Sequence, residues 1–152
     1  TEALSTLRIE MGHVAGSELD GRTIPYDVSL EGMLSKKKDF IGKRSLTREA
    51  FLNPKREKVV GVIPLDKKTT IPEGSHLVKD GNASSPNPKL GHVSASCWSV
   101  EYNNPFSLAI IQDGKNRIGE KLYAVSPLNN KNIAVEIVSS HYVDPKGERV
   151  RS

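Results

Sequence analysis

Few residues in this sequence have the types and the spacing that metal binding or catalysis requires. The four histidines lie far apart in the chain and lack the paired spacing of a zinc site. They are His13, His76, His92 and His141. Cys97 lies inside an apolar pattern typical of a strand, which favours a buried structural thiol over a nucleophile. The residues by themselves therefore predict no metal site and reveal no active site.

Two aromatic residues are the better candidates for contact with a ligand. Tyr26 and Trp98 each offer a flat surface on which a planar ring could stack, although each is at least as well suited to a protein core. The glycines near the N-terminus do not form a phosphate-binding loop, because they lack the strand–turn–helix context that such a loop requires. A planar ligand is therefore one reading of these aromatics and core packing is the other.

A run of three lysines, Lys36 to Lys38, stands within the stretch "SKKKDFIGKRSLTREAF". Such a run is more often a solvated surface than a binding patch. The formal net charge is only +4, because acidic residues are dispersed among the basic ones, and the aromatic residues that could stack on bases are few and scattered. The sequence thus argues against nucleic-acid binding.

The cellular setting follows from the cysteine and from the hydropathy of the chain. Cys97 is the single cysteine, so no internal disulfide can form, and a reducing compartment such as the cytoplasm is expected. The sequon at Asn82-Ala83-Ser84 is then attributed to chance. No apolar run approaches the roughly 20 residues that span a bilayer. The chain starts without a methionine, which suggests a piece of a longer soluble protein.

The first 54 residues predict two short helices. Leu4, Leu7 and Met11 recur at helical spacing, so we expect a first helix that Thr1 could cap and that ends at Gly12. Apolar residues then alternate in the second half of residues 12–30, which predicts an ordered loop. A second helix is expected over Lys43–Leu52, because Pro54 forbids its continuation. Its apolar side carries Leu46, Ala50 and Phe51.

After Pro54 the pattern changes to that of short strands. Six β-branched runs are separated by clusters of Pro, Gly, Asn and Asp. They are Lys58–Leu65, Ser75–Lys79, Leu90–Trp98, Phe106–Gln112, Lys121–Val125 and Asn132–Val138. Asp80-Gly81 and Asp113-Gly114 are dipeptides of the kind that close hairpins. We therefore predict a mainly β fold, a six-stranded antiparallel barrel or jelly roll with a short helical N-terminal extension.

Six collinear pieces of the sequence carry a resemblance, namely "TEALSTLRIEMGH", "DGRTIPYDVSLEGMLS", "KKDFIGKRSL", "LGHVSASCWS", "IGEKLYAV" and "YVDPKGERV". Together they resemble the C-terminal part of the folate-dependent aminomethyltransferase family. Within this family the pieces resemble in particular the α subunits of heterotetrameric sarcosine oxidases. Aminomethyltransferases of glycine cleavage typically read Ala-Arg-Asp ahead of the first helix motif, where this chain has Ala3-Leu4-Ser5, and Leu4 cannot replace a folate-binding arginine.

The resemblance implies a division of the chain and a function. Residues 1–54 would end a central folate-binding module, and residues 55–152 would form its C-terminal barrel. The full protein would be an amine oxidoreductase in which tetrahydrofolate captures the one-carbon unit of oxidised sarcosine as methylenetetrahydrofolate. Flavin and NAD would be held elsewhere in a hetero-oligomer of sarcosine oxidase subunits. The alternatives are a glycine-cleavage aminomethyltransferase or related demethylase, and a folate-binding or assembly module without chemistry.

The resemblance also narrows the candidate site residues. The family's principal folate carboxylates lie upstream of the matched region, so this chain is expected to supply a supporting wall, without catalytic residues, and to be inactive alone. Arg8, Tyr26 and Trp98 are the predicted folate contacts, because the rings need aromatic walls and the glutamate tail needs a cation. Phe40 and Ile41 should pack inward, while the three lysines face water and could meet an anionic polyglutamate tail.

Overall fold

The chain folds into a β-barrel with a helical N-terminal extension. The structure, a computed structural model, describes residues 1–81 and 88–151, so the Asn82-Ala83-Ser84 sequon lies outside the described residues. The strands are β1 Glu57–Pro64, β2 His76–Val78, β3 Gly91–Ser99, β4 Asn104–Gln112, β5 Lys121–Ser126 and β6 Lys131–Val138. They form a closed barrel in the order β1-β4-β3-β2-β5-β6, and each neighbouring pair is antiparallel. The predicted fold is confirmed.

Short helices connect and flank the strands. The α-helices are α1 Glu2–Glu10, α2 Glu49–Leu52 and α3 Glu148–Arg151. Single 3₁₀ turns occur at Gly16–Glu18, Glu31–Met33, Ser45–Thr47, Gly114–Arg117 and Pro127–Asn129. Among the described residues, no helix is long and apolar enough to cross a membrane.

The barrel interior is filled by aliphatic side chains from all six strands. Alternate residues point to opposite faces of a strand, so each strand contributes every second residue to this core. The interior cluster comprises Val60, Val62, Ile71, Leu77, Val93, Ala109, Ile111, Leu122, Ala124, Ile133, Val135 and Ile137. This period-two pattern is the reason that the strands could be placed from the sequence.

A β-bulge in β3 directs side chains of this strand into two different hydrophobic clusters. The register between β3 and β4 shifts between Val93 and Ala95. Val93 therefore packs in the interior cluster, whereas Ala95 and Cys97 join a second, outer cluster with Ile9 of α1. The other buried members of the outer cluster are Val28, Val59, Phe106 and Leu108. The N-terminal extension thus covers the outer face of β1, β3 and β4.

Two glycines allow the backbone to approach closely at this outer face. A Cβ on Gly61 of β1 would lie 2.4 Å from the Ser139 carbonyl oxygen and 2.7 Å from a ring carbon of Phe106. Gly12, which ends the first helix with φ +70°, would place a Cβ 2.5 Å from the Ser140 oxygen. Both positions require glycine because the neighbouring atoms belong largely to backbone and a packed ring.

Strand β2 is much shorter than its neighbour β3, and the chain just before β2 completes the pairing. The Gly74 N–H donates to the Val93 carbonyl at 2.9 Å. The Ser96 N–H donates to Glu73 Oε1 at 3.1 Å, and the Ser96 hydroxyl donates to the Ile71 carbonyl at 2.7 Å. This segment of irregular backbone therefore continues along β3 where β2 does not.

The first helix forms as predicted, but its apolar stripe is not the face that is buried. Leu4 and Leu7 are 71% and 57% exposed, whereas the buried residues are Ile9 and Glu10. The helix packs on the barrel through its last turn, so the apolar stripe at helical spacing does not mark the contact. The Thr1 side chain also makes no capping hydrogen bond.

The predicted second helix is broken. A 3₁₀ turn at Ser45–Thr47 and the short helix α2 replace it, and Arg48 between them is extended with ψ 141°. The Thr47 hydroxyl donates to the Arg44 carbonyl at 2.8 Å, a local bond that competes with helical pairing. Ile41, which was expected to pack inward, is fully exposed. Phe40 is half-buried, and the three lysines at 36–38 face solvent as expected.

One of the two predicted hairpin turns does not form. Asp113-Gly114 closes no hairpin, because it lies between β4 and β5, which do not pair. Asp80-Gly81 does lie in the connection between the paired strands β2 and β3. The two tight hairpins carry Asn103 and Asn130 at φ 51° and 47°, a left-handed conformation that asparagine tolerates.

Candidate ligand site at the junction of the N-terminal extension and the barrel

A buried carboxylate fastens the N-terminal extension to the start of β1. Asp27 Oδ1 accepts from Arg56 Nε at 3.0 Å and from Lys58 Nζ at 3.3 Å, and Oδ2 accepts from the second Arg56 nitrogen and from the Ile24 N–H at 3.1 Å. The Val59 N–H also donates to the Asp27 carbonyl at 2.7 Å. Burial opposes ionisation of Asp27, but these hydrogen bonds outweigh it and hold its pKa below the usual value.

A second buried carboxylate orders the loop that follows α1. The Glu18 side chain is fully buried and accepts from Arg8 Nη1 at 3.0 Å, the Ala15 N–H at 2.8 Å and the Ser17 hydroxyl at 3.0 Å. Burial acts to raise the pKa of Glu18, but hydroxyl and N–H groups, the Ser94 hydroxyl foremost, lower it further than burial raises it. Glu18 therefore stays ionised and ties α1 to the loop.

These two anchors flank a polar pocket of about 500 Å³, which we call the junction pocket. The N-terminal extension supplies Ser17, Glu18, Asp20, Arg22, Thr23, Asp27 and Val28. The segment that enters the barrel and the outer face of its strands supply Lys55, Arg56, Glu57, Val59, His92, Ile110 and Gln112. The pocket is thus built from both parts of the chain and exists only when they are docked.

His92 is the notable side chain of the junction pocket. Burial, with help from the nearby Lys89 ammonium, lowers its pKa, so the imidazole is neutral near pH 7. Among the described residues nothing hydrogen-bonds to its ring, and it lies opposite His76 on β2. In the described ranges no three His, Cys, Asp or Glu side chains are grouped so as to hold a metal ion.

The arrangement suits binding better than catalysis. Glu18 and Asp27 are committed to ion pairs, so neither can exchange protons with a ligand at neutral pH without losing its partners. His92 and Gln112 keep polar atoms available for a polar ligand. Sequence reasoning missed Asp27 and Arg56; the signal for them was a lone acid within an apolar alternation and two cations, Arg56 and Lys58, at strand spacing.

The three predicted folate contacts lie apart in the structure. Arg8 reaches the junction pocket indirectly, through its ion pair with Glu18. Tyr26 lines a separate groove of about 250 Å³ beside Phe51 and α2. Trp98 is 45% exposed near the end of β3, outside both cavities. The contact of these residues with folate stays a prediction. By contrast, the expected burial of Cys97 is confirmed, and burial raises the pKa of its thiol to about 11.

Residues 57–144 match the family model of the glycine cleavage T-protein C-terminal barrel domain. The chain belongs to this family. The match covers all six strands, from the first residue of β1 to beyond the end of β6.

Similarity to known proteins extends beyond the barrel. Sarcosine oxidase subunit alpha of Rhizobium meliloti (strain 1021) is 36% identical over 98% of the chain, and that of Corynebacterium sp. (strain P-1) is 38% identical over the same share. The chain spans only 15% and 16% of the length of these proteins. The crystal structure of glycine cleavage system aminomethyltransferase T from Bartonella henselae shares the fold, with a TM-score of 0.71 at 21% identity over 93% of this chain and 38% of that one.

Proposed function

We propose that this chain forms one wall of the tetrahydrofolate site in an amine-oxidising subunit of the sarcosine oxidase α type. The observation that carries the proposal is the identity of 36–38% to sarcosine oxidase α subunits over 98% of the chain. That similarity runs through residues 1–54 as well as 55–152, the two parts that together build the junction pocket. A site assembled from both parts gives a physical reason for both to be retained together.

The proposed reaction needs an enclosed site. Oxidation of a secondary amine such as sarcosine gives an imine that water hydrolyses to formaldehyde. Tetrahydrofolate supplies the amines that accept the one-carbon unit, giving methylenetetrahydrofolate, and it must reach the imine before water does. The part of this chain is to bind and orient a polar ligand and to exclude water. Flavin, NAD and the other subunits of the hetero-oligomer would belong to the remaining length of the protein and its complex.

The residues of the chain fit such a supporting role. Folate combines planar rings, hydrogen-bonding edges and an anionic tail, and the chain offers exposed Trp98, half-buried Tyr26 and the polar ring atoms of His92. Two of its buried carboxylates, Glu18 and Asp27, are engaged in ion pairs, which suits them to hold the wall together. We therefore expect the isolated chain to be inactive.

Mutation of the full-length protein tests whether these residues contact tetrahydrofolate. Arg8→Ala, Tyr26→Ala and Trp98→Ala should each raise the Kd for tetrahydrofolate by about tenfold, since a stacking or charge-assisted contact contributes roughly 1 to 3 kcal/mol. Tyr123→Ala, at a partly exposed tyrosine on β5, is the matched control and should leave the Kd unchanged. Unchanged Kd values in all three variants, measured by calorimetric titration, would refute the assignment.

Titration of the isolated chain tests how the affinity is shared. We expect tetrahydrofolate to bind it at least roughly a hundredfold more weakly than the full-length protein, because two or more charge-assisted hydrogen bonds are missing. Low-micromolar binding to the chain alone would show that this part carries the affinity.

A glycine-cleavage type of aminomethyltransferase is the second candidate, supported by the family description of the barrel. Turnover of the full-length protein separates the two functions. Oxygen or acceptor reduction that depends on sarcosine supports the oxidase. Folate-dependent release of ammonia from an aminomethyl donor, without oxidation, supports the transferase.

A further inference from the structure

The junction pocket keeps one carboxylate and one ammonium group that are not engaged in ion pairs. Four carboxylates and three cationic side chains line it. Three of these carboxylates, Glu18, Asp20 and Asp27, are committed to ion pairs with arginine. In the part of the chain that the structure describes, the Glu57 carboxylate and the Lys55 ammonium have neither an ion pair nor a side-chain hydrogen bond. The pocket therefore offers a ligand one charge of each sign.

The polar groups of the pocket that lack partners lie together on the outer face of the barrel. Glu57 on β1 is the register partner of Gln112 on β4. In the adjacent row of the sheet, Ile110 lies between Val59 of β1 and His92 of β3. Register partners have Cβ atoms about 5 Å apart, and diagonal neighbours on adjacent strands are roughly 7 to 8 Å apart. The three polar side chains thus border a space of small-molecule size with an apolar floor.

Hydrogen-bond acceptors dominate the border of this space. The Glu57 carboxylate only accepts, and the Gln112 amide presents a carbonyl oxygen. Burial keeps His92 neutral by lowering its pKa, so one ring nitrogen can accept, while the nearby Glu57 charge acts in the opposite direction. A protonated amine carries a positive charge and up to three N–H donors, so its chemistry matches that of these acceptors.

Other classes of ligand match the junction pocket less well. An inorganic anion would meet more carboxylates than cations, and Lys55 is the one lining cation without an ion pair among the described residues. A metal ion lacks a group of three ligating side chains in the described ranges. The predicted folate contacts Arg8, Tyr26 and Trp98 do not line the pocket. A compact ligand with both an amine and a carboxylate remains the best match.

We propose that the junction pocket binds a small α-amino acid in its zwitterionic form. The ammonium group contacts Glu57, Gln112 and His92, and the carboxylate faces Lys55. A short apolar side chain rests on the floor of the pocket. Because the N-terminal extension and the barrel build the pocket only when they are docked, the bound amino acid stabilises the docked state. This site goes beyond the folate wall proposed above and does not depend on it.

NMR titration of the 152-residue chain with glycine tests the proposal. Glycine should shift the signals of the His92 imidazole and the Gln112 side-chain amide. Acetate and methylammonium each carry one of its two charged groups and should bind at least roughly tenfold more weakly, because each lacks one charge-assisted contact. Alanine should bind up to about fourfold more tightly than glycine, since its methyl group is buried against the apolar floor.

A matched pair of variants tests the role of Glu57. Glu57→Gln should weaken glycine binding by about tenfold, because it removes the charge that holds the ammonium group. Glu49→Gln removes an exposed carboxylate that lines a separate groove at α2, and it should leave the Kd unchanged. A well-dispersed amide spectrum of each variant shows that the barrel is folded.

Four results would overturn the proposal. Equal binding of acetate and glycine would identify a site for anions, and equal binding of methylammonium and glycine would identify a site for cations alone. An unchanged Kd in Glu57→Gln would place the ammonium group elsewhere. Shifts of His92 and Gln112 caused by tetrahydrofolate, but not by glycine, would assign the pocket to the folate wall. Failure of the full-length protein to bind tetrahydrofolate would instead refute the proposed function and leave the glycine shifts intact.

Discussion

Removing the carboxylate of Asp27 should loosen the N-terminal extension from the barrel. Asp27→Asn keeps the shape of the side chain but removes the charge that Arg56 and Lys58 share. The three side chains are only 9%, 21% and 15% exposed, so the two cations would be left partly buried without a counter-charge. Breaking a buried ion pair from one side costs about 3 to 5 kcal/mol, and residual hydrogen bonding by the amide reduces this to about 2 to 3 kcal/mol of unfolding free energy. For a chain of this size, that lowers Tm by roughly 4 to 12 °C.

The stabilisation that the Asp27 carboxylate provides should depend on pH. Because the folded-state pKa of Asp27 lies below its ordinary value of 3.8, the stabilisation is fully present above that value. It is lost as the pH falls through the lower, folded-state pKa. Urea denaturation of wild type and variant, followed by circular dichroism from neutral to strongly acidic pH, should show two stability curves that converge in acid.

The control for this experiment is Asp39→Asn, which removes a fully exposed partner of Lys43 and should leave the unfolding midpoint unchanged. The reasoning is refuted if Asp27→Asn unfolds within about 0.5 kcal/mol of the wild type at neutral pH, the range of ordinary surface substitutions. A difference that stays constant down to strong acid would equally contradict the ionic origin of the effect.

Three further predictions concern the barrel and its outer cluster. In the native state near pH 8, Cys97 should react with a disulfide reagent at least roughly tenfold more slowly than an ordinary thiol, because a pKa of about 11 leaves little thiolate and the sulfur is buried; rapid native-state labelling would contradict this. Gly61→Ala should destabilise the barrel by about 1 to 3 kcal/mol in urea denaturation. Gly16→Ala, whose new methyl group meets nothing within 4 Å, is the control and should not. Equal unfolding midpoints for the two variants would show that the barrel wall shifts to accept the methyl group. Tyr142→Phe should cost about 1 to 2 kcal/mol in the same assay, since it leaves the buried Asn104 amide, now 3.0 Å from the hydroxyl, without that partner, and a neutral result would mean that water replaces it.

The strands could be predicted from the sequence because the pattern that defines each strand lies within its own residues. Alternation of aliphatic and polar residues, interrupted by turn-forming residues, defines each strand without reference to its neighbours. The prediction of a hairpin turn at Asp113-Gly114 was wrong because the same dipeptide can form a hairpin turn or a 3₁₀ connection. Which one forms depends on the strand order of the closed barrel, and that order is not a local property.

The way the extension docks on the barrel, and the pocket that this forms, could not be predicted for a related reason. The Asp27–Arg56 pair joins residues 29 positions apart, and nothing in the local pattern of either residue specifies the other. Helical spacing of Leu4 and Leu7 identifies an amphipathic helix, but it does not say which surface the helix meets. The bulge after Val93 likewise depends on the competition of two cores for one strand, which appears only when both are assembled.

The short strand β2 has a consequence for self-association. A strand with unpaired N–H and C=O groups can recruit a strand from another molecule, and β3 extends well beyond the reach of β2. The segment ahead of β2 occupies that stretch through Gly74, the Glu73 carboxylate and the Ile71 carbonyl. The carboxylate also places a negative charge where an incoming strand would have to dock. Residues 71–74, just ahead of β2, therefore act as a guard against intermolecular strand addition.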